Sequence, residues 1–365
     1  MPRVKGTAMS RHMAGRALLR GLSVLICSSA LSLAGPEKSP ELVWPLPPAE
    51  ARIRYLESLD SVRGFLKKKK SIWRRLLIGA ERESTVELRK PYDVTTDSNG
   101  IVYVTDSGGG AVFVFDRAQR QVRLIGNEGR YKLSTPIGIV ADGHDRIWVS
   151  DVDLDQVICF DRDGTAILAV DGRSEKIRNP AGLAVDREAG ILYVVDSHGH
   201  QVIAYDLDGR PLRRIGSRGT GPGEFNFPTN AEVAPGGDLY VVDTMNFRIQ
   251  VFDRQGLFVR QFGEAGDGPG AFTRAKGIGI DGEGQIYVTD AAFNNFQVFS
   301  PMGELLLFVG SMGDALGEFW LPAGLHIDEK GRIYVADQAN RRVQVFQYLS
   351  SSGSNGTVGG ETAGE

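Results

Sequence analysis

Few side chains stand in patterns able to do chemistry. Asp151, Asp153 and Asp155 alternate along one stretch, which is the carboxylate spacing of a calcium loop, although Gln156 stands where such a loop needs glycine. His198 and His200 are two apart and able to face one ion, but no third ligand follows at zinc spacing. Glu232 and His326 are the acid–base candidates. Lys67, Lys68, Lys69, Lys70, Arg74 and Arg75 surround Trp73 and several leucines, a basic apolar segment suited to an anionic membrane surface. Each pattern also has a plainer reading: solvated loop carboxylates, rim histidines, satisfied core polar groups, and a helix capping one face of the fold. The elements that carry these residues must decide.

Composition narrows the classes. The 365 residues carry 42 basic and 45 acidic side chains, 46 glycines and two cysteines. Two cysteines exclude a disulfide framework or a multi-cysteine metal cluster, and 42% hydrophobic content excludes bulk disorder. Arg3, Lys5, Arg11, Arg16 and Arg20 precede the apolar run Gly21–Ala34, so residues 1–34 are expected to be an export signal. Its loss leaves 37 basic against 45 acidic residues, a net of -8, the wrong sign for a nucleic-acid binder. An exported protein, periplasmic or on the cell surface, is expected.

The chain repeats. Ile-Tyr-Val-x-Asp or a close variant ends at Asp106, Asp151, Asp196, Asp243, Asp290 and Asp337. Each copy is followed by two alternating strand-like runs and preceded by a third, joined by turn dipeptides such as Asn99-Gly100 and Lys330-Gly331. Four antiparallel strands per repeat of this length predict a propeller blade, and six repeats an all-β six-bladed propeller over residues 89–349. The sixth repeat lacks its fourth strand, and an orphan strand at 52–58 is expected to supply it and close the ring. Residues 35–51 read as a Pro-rich linker, 59–88 as a basic amphipathic helical insertion, and 350–365 as a Gly/Ser-rich tail.

Three interblade loops carry Gly-x-x-Gly-x-x-x-Gly-x-Phe, at Gly216–Phe225, Gly263–Phe272 and Gly310–Phe319. In this the repeat resembles the NHL family, and the leading WPLPPAEARIRYLES resembles exported bacterial NHL-type propellers of unassigned function. Asp93 and Asn230 replace the family's first-strand glycine, and are read as residues that tolerate left-handed backbone. The fold is also similar to that of peptide-amidating lyases and calcium-dependent lactonases. The resemblance to those lyases implies several axial histidines, whereas only His326 is expected deep here. RNA-binding and ubiquitin-ligase roles of animal NHL proteins are not expected, since no RING and no zinc-binding cysteines are present.

Residues shared by every blade are read as architecture: the six aspartates end strands, where they accept turn amides. Function is expected where the copies differ, on the loops after the second strands and between blades. That face offers Phe247, Arg248, Phe293, Trp320, Arg341, Tyr131, His198 and His200 as anchors for a protein or peptide partner. The expectation is a monomeric, non-enzymatic binding scaffold at the bacterial envelope, with no cofactor except a weak calcium candidate at Asp153 and Asp155. The alternative is a metal-dependent lyase or lactonase-like enzyme using Glu232 and His326 in the axial channel.

Overall fold

Apolar–polar alternation at period two gives each run a strand with one face for each neighbouring sheet. In the computed structural model, which describes residues 41–61, 87–171 and 177–349, these runs form six antiparallel sheets. The first blade is built, from the axis outward, of Pro91–Thr96, Val102–Asp106, Ala111–Asp116 and Gln121–Ile125. The inner strands of blades two to six are Pro136–Ala141, Pro180–Asp186, Asn230–Val233, Ala275–Ile280 and Pro322–Ile327. The chain is therefore a six-bladed propeller of four-stranded blades. The expected export signal, the tail from 350, and the segment with Lys67, Lys68, Lys69, Lys70, Trp73, Arg74 and Arg75 lie outside the described residues.

The strand Ile53–Leu59, one residue later than expected, pairs antiparallel with Arg342–Tyr348 and completes blade six. Its two ends serve different cores. Ile53 is fully buried with Phe296, Phe319 and Phe346, while Leu59 is buried with Val94, Phe113 and Tyr334. One strand thus seals both interfaces of the last blade by removing apolar surface from water. Val43–Trp44, inside the span read as a linker, adds a fifth strand to that blade. The Trp44 ring meets Phe346 edge-on at 5.7 Å, and this aromatic contact is what converts part of the linker into structure.

The six motif aspartates are all buried. Asp106 accepts the backbone amides of Arg89 and Lys90, from the loop entering its blade, at 2.6 and 2.8 Å. It also accepts those of Gly108 and Gly109 in its own turn, both at 3.0 Å. Asp151 and Asp290 repeat the arrangement with Ser134 and Thr135 and with Thr273 and Arg274. In blades four and six a guanidinium joins: Arg248 Nε donates to Asp243 and Arg342 Nε to Asp337, each at 2.8 Å. These carboxylates clamp two loops together, and that is why every blade needs one.

Replacing Asp337 by alanine would leave Arg342 as a buried unpaired charge and strand the Trp320 amide. The Asp337→Ala protein is expected to lose about 3–5 kcal/mol of stability, measured by urea unfolding; a loss near zero would deny the clamp its role.

Candidate functional site

Because each aspartate ties the turn after the second strand to the loop entering the blade, these two loop sets share one end of the axis, the loop face. The turns joining first to second and third to fourth strands lie at the other end, the hairpin face.

On the hairpin face the inner strands enclose a chamber of about 370 Å³ lined by all six blades, with Glu232 and His326 in its wall and Arg187 at its mouth. Both expected acid–base candidates therefore reach one cavity. His326 Nε2 pairs with Thr96 Oγ1 at 2.9 Å, and burial, with a smaller contribution from the Arg187 charge, pushes its pKa down to about 4. The imidazole is neutral at physiological pH. Among the described residues Glu232 accepts the amide of Val233, at 3.2 Å, and burial pushes its carboxyl up to about 7 against the opposing pull of that amide and of Arg187.

Asp93 forms the chamber floor with Asn230. These residues sit in blades one and four, opposite each other in the ring, and both line the chamber, near enough for Asn230 to act on the Asp93 carboxyl. Burial pushes Asp93 up to about 8, although it accepts the amides of Val94 and Ile139 at 2.9 and 3.3 Å. Contrary to the sequence reading, neither residue has a left-handed backbone, nor do the glycines Gly138, Gly182, Gly277 and Gly324 that stand there in other blades. Space is the reason. A Cβ on Gly182 would lie 2.1 Å from Asn230 Oδ1, and one on Gly324 would lie 1.9 Å from Asp93 Oδ1. The two polar side chains fill the room that their neighbours' glycines leave.

The loop face is apolar and basic. Phe227, Met245, Trp320 and Leu321 are 39%, 50%, 48% and 36% exposed, Arg341 is exposed, and Phe247 and Phe293 are half-buried. Tyr131 is half-buried under the Arg130 guanidinium, 5.3 Å from its ring centre. His198 is exposed and packs edge-on against Phe227 at 5.7 Å.

Two expected anchors have turned inward. Arg248 is buried, with Asp243 on Nε, Gln261 on Nη1 and the carbonyls of Gly221 and Glu224 on Nη2. It opens a strand directly beneath the buried aspartate, so charge pairing draws it in and it offers nothing to a partner. His200 is likewise buried, and its Nδ1 accepts the Phe227 amide at 3.1 Å. Burial, then the Arg218 charge, lower its pKa; its role is to hold Phe227 in place.

The calcium spacing is resolved otherwise. Asp153 accepts the hydroxyls of Ser134 and Thr135 at 3.1 and 2.5 Å. Asp155, at a positive φ of 51°, accepts the Asn179 amide at 3.1 Å from the loop on its other side. Each carboxylate is engaged by a different neighbouring loop, and among the described residues no three His, Cys, Asp or Glu side chains gather to hold a metal ion.

Sequence reasoning missed Phe227, Leu321 and Arg187, and also Lys276, whose ammonium lies 5.1 Å from the ring centre of Tyr92. The signal was available as a column: where blade five has Lys276, the others have Tyr92, Ile137, Ala181, Thr229 and Ala323.

A family model described as 6-bladed beta-propeller matches residues 230–292, and one described as NHL repeat matches 319–346. No curated protein matches the chain in sequence. Among solved structures, a gluconolactonase of Xanthomonas campestris is 18% identical with a TM-score of 0.57, over 72% of this chain and 86% of that one. An auxiliary nutrient binding protein of Bacteroides thetaiotaomicron is 17% identical with a TM-score of 0.56, over 71% and 69%. A virginiamycin B lyase of Staphylococcus aureus is 13% identical with a TM-score of 0.53, over 71% and 80%. At these identities the likeness is one of fold.

The chamber acids predict a pH signature. Asp93 and Glu232 have folded-state pKa values raised to about 8 and about 7. The stability tied to their protonated forms is fully present below about pH 4 and is lost as pH rises through those values. His326 is lowered to about 4, so its contribution is present above about pH 6.5 and lost as pH falls. Asp93→Asn and Glu232→Gln are each expected to flatten the decline in unfolding free energy toward pH 8. A decline identical in wild type and both variants would contradict the assignment.

Proposed function

We propose that this NHL-repeat six-bladed β-propeller is an exported, non-enzymatic scaffold that binds a protein or peptide on its loop face at the bacterial envelope. The observation that carries the reading is the exposure of four large apolar side chains, Phe227, Met245, Trp320 and Leu321, on one face, on the loops of blades four and six. Such exposed side chains, on a face that also exposes Arg341, have the make-up of a recognition surface. Their mounting supports it further. Phe227 is pinned by His200, the Trp320 amide by Asp337 at 2.8 Å, and the Leu321 amide by Asn294 Oδ1 at 2.9 Å. Anchors held in one conformation lose less entropy on binding. The basic–apolar start of the chain supports export, and loss of positive charge with it speaks against nucleic acid.

A second reading rests on the hairpin-face chamber. Glu232, with a carboxyl poised near neutrality, and the neutral His326 line one cavity, a pairing suited to moving a proton on a small lyase or lactone substrate. The two readings separate by face. Phe227→Ala, Trp320→Ala and Leu321→Ala combined are expected to cut recovery of bound partner from an envelope extract by about tenfold or more, while Glu232→Gln leaves it unchanged. Unaltered recovery by the triple variant would reject the docking role. Loss of a turnover activity in Glu232→Gln alone would transfer function to the chamber.

A further inference from the structure

The loop-face end of the axis holds positive charge with no counter-charge. Lys276 reaches from blade five past Ala323 of blade six to the ring of Tyr92 in blade one, 5.1 Å from its centre. Such a cation–ring contact is favourable but does not neutralise the ammonium. Burial, with smaller contributions from the nearby Arg274 and Lys90 charges, pushes the amine down to about 8. Among the described residues these three cations enter no ion pair. The strand-end carboxylates Asp106 and Asp290 are engaged by the amides of Arg89, Lys90, Thr273 and Arg274, and burial opposes ionisation of Asp93 below.

The opposite face is built differently. There Arg146, Arg254 and Arg332 meet Asp142, Asp186 and Asp328 at 2.6, 2.7 and 2.6 Å. The loop face does bury two arginine–aspartate pairs, Arg248–Asp243 and Arg342–Asp337, so its loops do hold carboxylates for their buried arginines and leave the axial cations bare. Gathering like charges costs energy unless an anion joins them. The strand that carries Lys276 meets the loop that carries Phe227: Thr229 Oγ1, two residues past Phe227, donates to the Lys276 carbonyl at 3.2 Å.

We infer that the loop-face mouth of the axis is a carboxylate seat, in which Lys276, Lys90 and Arg274 receive an acidic side chain or chain terminus of the docked peptide while its apolar residues lie on Phe227 and Leu321. The inference rests on the docking reading above and supplies the partner's chemistry: a carboxylate flanked by hydrophobic groups. A half-buried ammonium suits this task, because a charge-assisted hydrogen bond formed away from bulk water is stronger than one at an open surface.

The test needs no partner and so fails separately from the capture experiment. The intact protein is treated with pyridoxal 5′-phosphate, an anionic aldehyde that condenses with a free amine to an imine and water. Borohydride then delivers hydride to the imine carbon to give a stable secondary amine, and the sites are read by mass spectrometry. At pH 8 Lys276 is expected to be labelled about tenfold or more faster than the exposed Lys132 and Lys330. Millimolar tetraglutamate is expected to slow labelling of Lys276 but not of Lys330, and tetraglutamine to slow neither. Labelling of Lys276 at the rate of Lys330 would overturn the seat, as would fast labelling that tetraglutamate does not slow. Protection by inorganic phosphate without protection by tetraglutamate would overturn the choice of a carboxylate.

Discussion

Six buried carboxylates hold the loop face together. Each ends the second strand of a blade, and most gather amides from two loops that lie far apart in sequence, such as Arg89 and Gly108 on Asp106. A carboxylate removed from water is stable only when its oxygens are fully engaged, and backbone amides satisfy that demand whatever side chains the loops carry. The clamp thus separates the constant from the variable: the backbone of each loop is fixed by the aspartate, and its side chains are free to differ from blade to blade. Trp320 and Arg274 present such different chemistry from equivalent loops because neither side chain supports its own loop.

The axis is governed by a second constraint, the closeness of the inner strands at their third residue. Four blades leave that position to glycine, and Asp93 and Asn230 fill the room beside Gly324 and Gly182. They mark a level on the axis. Below it, the chamber holds a neutral imidazole and carboxyls whose ionisation burial opposes. Above it, Lys276 rests on Tyr92 with Lys90 and Arg274 beside it. Acids whose ionisation burial opposes thus stand at one end, with Arg187 at the mouth, and Lys276, Lys90 and Arg274 at the other.

The similar folds of the lactonase, the nutrient binding protein and the lyase place little weight on any one function, since a propeller supplies a frame and the site lies in what is mounted on it. In this chain the frame mounts different side chains on equivalent loops. Arg248 and His200, which on sequence grounds belong among the exposed contacts, have become the fixings beneath the loop surface.

Blade number, strand order and ring closure were legible in the amino-acid sequence, because period-two alternation and an aspartate recurring in every repeat act locally and are copied six times. The columns in which blades differ were legible too, including those of Lys276 and of Asp93 with Asn230. What those differences mean was decided by tertiary structure alone. Whether a loop arginine is buried or free depends on which carboxylate the neighbouring blade brings beneath it. Whether glycine serves conformation or clearance depends on how near the next inner strand comes. Whether two acids share a cavity depends on the curvature of the whole ring. Those are distances between residues far apart along the chain, and no local pattern of residues encodes them.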